Sequence, residues 1–154
     1  MSMPTPDEQI VLLQDELMRV REGGEDSRGL ECKALGDLGI AYYQGQRWQE
    51  ALGTLTEYLN LAIELGEKWS EAVALYYLGF TQQAIKEPWL AVKSFALAYR
   101  WFRGLGLEEF AAIACRQKYW RRLMKIFKGG TIIEVILLYT PHHKRIAAHP
   151  IDKH

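Results

Sequence analysis

Side chains that attack, titrate or ligate are few in this chain, and their spacing does not favour catalysis. Its four histidines, His142, His143, His149 and His154, lie close together among Pro141, Pro150 and polar residues. No carboxylate or cysteine accompanies them at a spacing that repeats a metal-binding motif, so no metal site is expected. Cys32 and Cys115 are far apart, each inside an apolar-periodic stretch, and Cys115 has no histidine nearby. They read as reduced, buried thiols rather than as a nucleophile or a disulfide. Gly104-Leu105-Gly106 lacks the strand, later glycine and lysine that a phosphate-cradling loop needs. The expectation is a protein with no catalytic residues and no cofactor.

Elements that could present a recognition surface are much plainer. The chain has 154 residues, 49% of them apolar and 25% charged, a balance suited to one ordinary globular domain. Its formal net charge is zero, which disfavours a general nucleic-acid binder. That neutrality hides a basic run: from Leu107 to Lys128, six cations (Arg116, Lys118, Arg121, Arg122, Lys125 and Lys128) face only Glu108 and Glu109. The start of the chain shows no basic and apolar leader pattern, and no stretch has the roughly 20 apolar residues of a membrane-spanning helix. The expected location is cytoplasmic, with peripheral membrane contact left open.

Sliding the sequence by 40 places aligns Glu31 with Glu71, Ala34 with Ala74, Leu35 with Leu75, Leu38-Gly39 with Leu78-Gly79, Ala51 with Ala91, and Leu65-Gly66 with Leu105-Gly106. Matches three and four apart mark the packed faces of helices rather than strands. They predict two helical hairpins. The first runs from about Leu30 to Gln44, turns at Gly45-Gln46 and returns from Arg47 to Leu65. The second runs from Trp69 to Ile85, turns at Lys86-Glu87-Pro88 and returns to Arg103. Gly45 suits the left-handed residue past a helix end, and Pro88 suits the first turn of the next helix. Thr5-Pro6-Asp7-Glu8 reads as a capping box opening an N-terminal helix that stops near Gly23-Gly24. A further first helix fits Leu107 to Phe127.

Leu35, Leu38, Gly39, Tyr42, Ala51 and Leu55 in one unit, and Leu75, Leu78, Gly79, Ala91, Phe95 and Ala98 in the next, resemble the tetratricopeptide repeat pattern. Gln82 where an aromatic is usual, Tyr58 at a small-residue position and the absent closing proline depart from it. The 40-residue period is similar to the elongated repeats of kinesin light chains and cell-polarity adaptors. HEAT and armadillo repeats share such periods, but the Leu-Gly pair, the following aromatic and the later alanine favour the tetratricopeptide reading. The fold class is therefore all-α, a tetratricopeptide-like antiparallel helix-hairpin solenoid of two full repeats plus capping helices. It would occupy residues 1–128, with 129–154 as a C-terminal tail.

In that family the first helices of successive hairpins line a concave surface. The resemblance thus implies partner contacts at Lys33, Ile40, Tyr43 and Gln44, then Val73, Tyr76, Phe80 and Gln83, then Ile113, Arg116, Trp120 and Leu123, an apolar and aromatic groove with Lys33 and Arg116 as its charges. The implied function is an adaptor, scaffold or assembly factor that holds a peptide or helix of another protein. The same residues could instead pack against neighbouring helices, or the chain's own termini could fill the groove. Arg121, Arg122, Lys125 and Lys128 form a basic surface that suits either solvent or an anionic membrane, the latter giving a peripheral or complex-subunit role. The β-branched run Thr131 to Tyr139 reads locally as a strand, an end-covering helix or a dimer contact, and self-association through an open apolar end is a further expectation.

Overall fold

The computed structural model describes residues 3–117. Six α-helices follow one another: α1 (Pro6–Glu22), α2 (Arg28–Gln44), α3 (Trp48–Leu65), α4 (Lys68–Ala84), α5 (Pro88–Gly104) and α6 (Glu108–Cys115), with one 3-10 turn at Glu25–Ser27. No strand occurs among the described residues, and each helix packs on the next, so the chain is an all-α stack of helical hairpins. Both expected hairpins form within two residues of their anticipated ends. α6 ends at Cys115, short of the Phe127 expected, and Arg116 donates its backbone N–H to Ala112 and Ile113 as that helix closes. Trp120, Leu123, the basic residues Arg121, Arg122, Lys125 and Lys128, the 129–154 tail and its histidines all lie outside the described residues.

Local chemistry opens α1 as anticipated. The Glu8 N–H donates to Thr5 Oγ1 at 3.3 Å, and the Thr5 N–H donates to Glu8 Oε2 at 2.8 Å, so two otherwise orphaned donors are satisfied reciprocally. Arg21 then ties α1 to its neighbours through Glu31 on α2 and Glu57 on α3, each at 2.8 Å.

The four turns from α2 to α6 share one construction. Gln46, Gly66, Lys86 and Gly106 all have positive φ, between 58° and 74°, and stand twenty residues apart. The residue after each donates its N–H back into the helix just ended: Arg47 to Tyr42 O at 2.9 Å, Glu67 to Ala62 O at 3.0 Å, Glu87 to Gln82 O at 2.8 Å and Leu107 to Phe102 O at 2.8 Å. These are the six-to-one bonds of a Schellman ending. The carbonyl of that same residue accepts the first bond of the next helix, from Ala51, Glu71, Ala91 and Ala111 respectively. The backbone of one residue therefore closes one helix and starts another, which fixes the angle between them. Gly45, expected to be left-handed, has φ −78° instead, and Gln46 takes that conformation one residue later.

Close helix crossings explain the small residues. A Cβ at Gly39 would sit 2.7 Å from Leu55 Cδ2, and one at Gly79 would sit 2.7 Å from Phe95 Cε1. Side chains at either position would force the paired helices apart. Ala51, Ala62, Ala72, Ala74, Ala91 and Ala98 are all fully buried, and Leu55, Phe95, Trp101 and Phe102 fill the space between layers. Two anticipated departures are compensated. Tyr58 is accommodated because Gly36 faces it, with a Cβ there meeting the ring at 2.8 Å. Gln82, where an aromatic is usual, accepts a hydrogen bond from the buried Ser94 Oγ at 2.6 Å and so ties α4 to α5. Glu71 is 1% exposed; its Oε1 accepts from Lys68 Nζ at 3.1 Å, while that ammonium lies 4.7 Å above the Trp101 ring.

Candidate interaction groove

α2, α4 and α6 are the first members of successive hairpins, and between them lies a groove of about 670 Å³. α2 contributes Gly29, Lys33, Gly36, Asp37 and Ile40, residues that recur at helical spacing and so share one face. α4 contributes Trp69, Ser70, Val73, Tyr76 and Tyr77, and α6 contributes Phe110. Tyr58 and Phe102 reach the groove from the second helices, and Glu67 comes from the turn before α4. The gap left by Gly36 is what makes room for the buried Tyr58 ring at the groove floor.

Of the residues anticipated from the sequence, Lys33, Ile40, Val73 and Tyr76 line this groove. Tyr43 and Phe80 stand beside it in a run of ring contacts: Tyr43 is 5.4 Å from Tyr77, Phe80 is 4.9 Å from Tyr76, and Phe80 is 4.9 Å from the fully buried Phe95. Their primary work is packing. Gln44, Gln83, Ile113 and Arg116 do not line the groove; Gln44 and Arg116 are exposed at the ends of their helices. The expected pair of charges is replaced by Lys33 with two carboxylates, Asp37 and Glu67.

One wall is aromatic. Trp69 lies 6.0 Å edge-on to Phe110, Phe110 stacks on Phe102 at 5.3 Å, and Tyr76 meets Phe102 at 5.8 Å and Phe110 at 6.4 Å. Trp69 retains 49% of its exposure and Phe110 39%, so both rings stay partly open to a ligand while their neighbours hold them in place. Trp69, Phe110, Asp37 and Glu67 were missed from sequence. A signal existed for two of them, since Trp69 precedes Tyr76 by seven residues and Asp37 follows Lys33 by four, spacings that place each pair on one helix face.

The groove's polar groups are tuned by burial. Asp37 has its carboxyl pushed above the usual range chiefly by desolvation; the Glu16 charge on α1 adds to this and Lys33 partly offsets it. Beneath, Cys32 is fully buried and its thiol is pushed up to about 11 by burial and by the Glu67 charge, against a lowering hydrogen bond with Ser70. Burial likewise raises the Tyr58 and Tyr76 hydroxyls. Ser70 Oγ donates to Glu67 Oε2 at 2.9 Å, holding that carboxylate at the groove edge. No cluster of three or more histidine, cysteine or acidic side chains that could hold a metal ion occurs among the described residues, and none of their helices is long and apolar enough to cross a membrane. An apolar, aromatic-walled trough with a few charges can bury a side chain or a short helix.

Comparison with protein-family models, curated proteins and solved structures finds no match to this chain.

Proposed function

We propose that this protein is a binding module of the tetratricopeptide type, an adaptor, scaffold or assembly factor that holds a peptide or helical segment of another protein in the groove across α2, α4 and α6. The observation that carries this reading is the aromatic wall. Trp69 and Phe110 stay partly exposed although both pack against Phe102 and against each other. Rigid rings that stay open lose little conformational freedom on binding and bury much apolar area, which is why such residues dominate interface energetics. The 40-place repeat, the close glycine crossings and the shared turn construction all support the family reading.

The test is an affinity pull-down from source-cell extract with the full chain and a Trp69→Ala, Phe110→Ser variant, after circular dichroism establishes that both are equally helical. A partner retained by the wild type and lost by the variant supports the groove. Equal retention by both rejects it.

A further inference from the structure

Charge in and around the groove narrows the kind of partner it fits, and the inference rests on reading the groove as a docking site. Asp37 and Glu67 give it two carboxylates against the single ammonium of Lys33, and Glu16 adds negative potential at Asp37. Neither Asp37 nor Glu67 has an ion-pair partner within 4 Å among the described residues, whereas Glu31, Glu50, Glu57, Glu64 and Glu71 are each paired with an arginine or lysine. The surroundings reinforce the sign: residues 1–117 hold 11 Lys and Arg against 17 Asp and Glu. The same groove holds the partly exposed rings of Trp69 and Phe110, and aromatic faces attract cations through their quadrupole.

We propose that the groove takes a partner segment presenting an arginine or lysine between apolar residues, the cation meeting Asp37 and Glu67 and the faces of Trp69 and Phe110 while the apolar neighbours lie on Ile40, Val73 and Tyr76. Arginine suits the site better than lysine, because its planar guanidinium both forks to a carboxylate and stacks on a ring. Acidic segments and polyphosphates are disfavoured by the same charges.

The experiment is selection of random 16-residue peptides displayed on phage against the immobilised full chain, followed by titration of the selected peptides, each with its citrulline or norleucine counterpart. The expected result is enrichment of arginine flanked by leucine or aromatic residues, with affinity falling about tenfold on arginine→citrulline and by a similar factor for the Asp37→Asn, Glu67→Gln protein. Both substitutions are at exposed positions and keep side-chain size, and Glu67→Gln retains an oxygen to accept from Ser70 Oγ. Selected peptides that lack cations yet lose affinity to Trp69→Ala overturn the charge inference and leave the docking reading standing. Peptides indifferent to Trp69→Ala as well overturn both. Residues 118–154 carry 8 Lys and Arg against 2 Asp and Glu, so a synthetic peptide of that sequence is included. If it binds the groove more tightly than every selected peptide, the chain itself is the occupant and the assignment to a partner fails.

Discussion

At the scale of single residues, the decisive effects are burial and close approach. Cys32 is protonated in both folded and unfolded chains below its ordinary value of 9.0, and its folded thiol titrates at about 11. Between those values the unfolded chain releases its proton first, so the thiol's contribution to stability is complete below pH 9 and is lost as pH rises towards 11. The stability advantage of wild type over Cys32→Ala should therefore shrink by about 2–3 kcal/mol between pH 8 and pH 11.5 in urea titrations, a two-unit shift being worth that much. Parallel pH curves for the two proteins would contradict this. Gly36 offers a second case. The pair Gly36 and Tyr58 in the first hairpin becomes Tyr76 and Ala98 forty residues on, so the bulky ring has changed helices between repeats. Gly36→Ala should destabilise by about 1–3 kcal/mol through overpacking against the Tyr58 ring. In a Tyr58→Ala background the same change should cost much less, a coupling that a double-mutant cycle measures.

At the scale of elements, what matters is how helices are stopped and restarted. Gln46 and Lys86 occupy the left-handed positions that Gly66 and Gly106 hold in the alternate turns, and both are exposed. A side chain in that conformation costs about 1 kcal/mol that glycine does not incur, partly offset by the extra freedom glycine has when unfolded. Lys86→Gly and Gln46→Gly should each raise stability by about 0.5–1 kcal/mol in thermal or denaturant unfolding, whereas Gly66→Ala and Gly106→Ala should lower it. These turns also mark how far the sequence was legible. The helices were plain because Leu, Gly and Ala recur at helical spacing over a 40-residue period. The residue with positive φ in the first turn was misplaced at Gly45, since glycine is the stronger local cue, while the six-to-one bond from Arg47 to Tyr42 decides the register from longer range. The groove was legible where the repeat register reaches it, at Lys33, Ile40, Val73 and Tyr76. Phe110 and Glu67 were not, because Phe110 enters by packing on Phe102 and Glu67 by its place in a turn, neither of which periodicity encodes.

At the scale of the whole molecule, the hairpins stack so that first helices adjoin first helices, and a face made of α2, α4 and α6 is left without a protein neighbour among the described residues. Binding there would engage rings that their neighbours already hold in place, so little rotamer freedom would be lost on association. Whether the groove is where a partner docks is measured most directly by site-specific photo-crosslinking in source cells, with a photoreactive phenylalanine analogue placed at Ile40 or Val73 in the groove, or at Thr54 or Glu57 on α3. A discrete crosslinked protein is expected from the groove positions, absent from the α3 positions and abolished by Trp69→Ala. The same protein crosslinking equally from α3, or crosslinks from the groove that persist in Trp69→Ala, would contradict it.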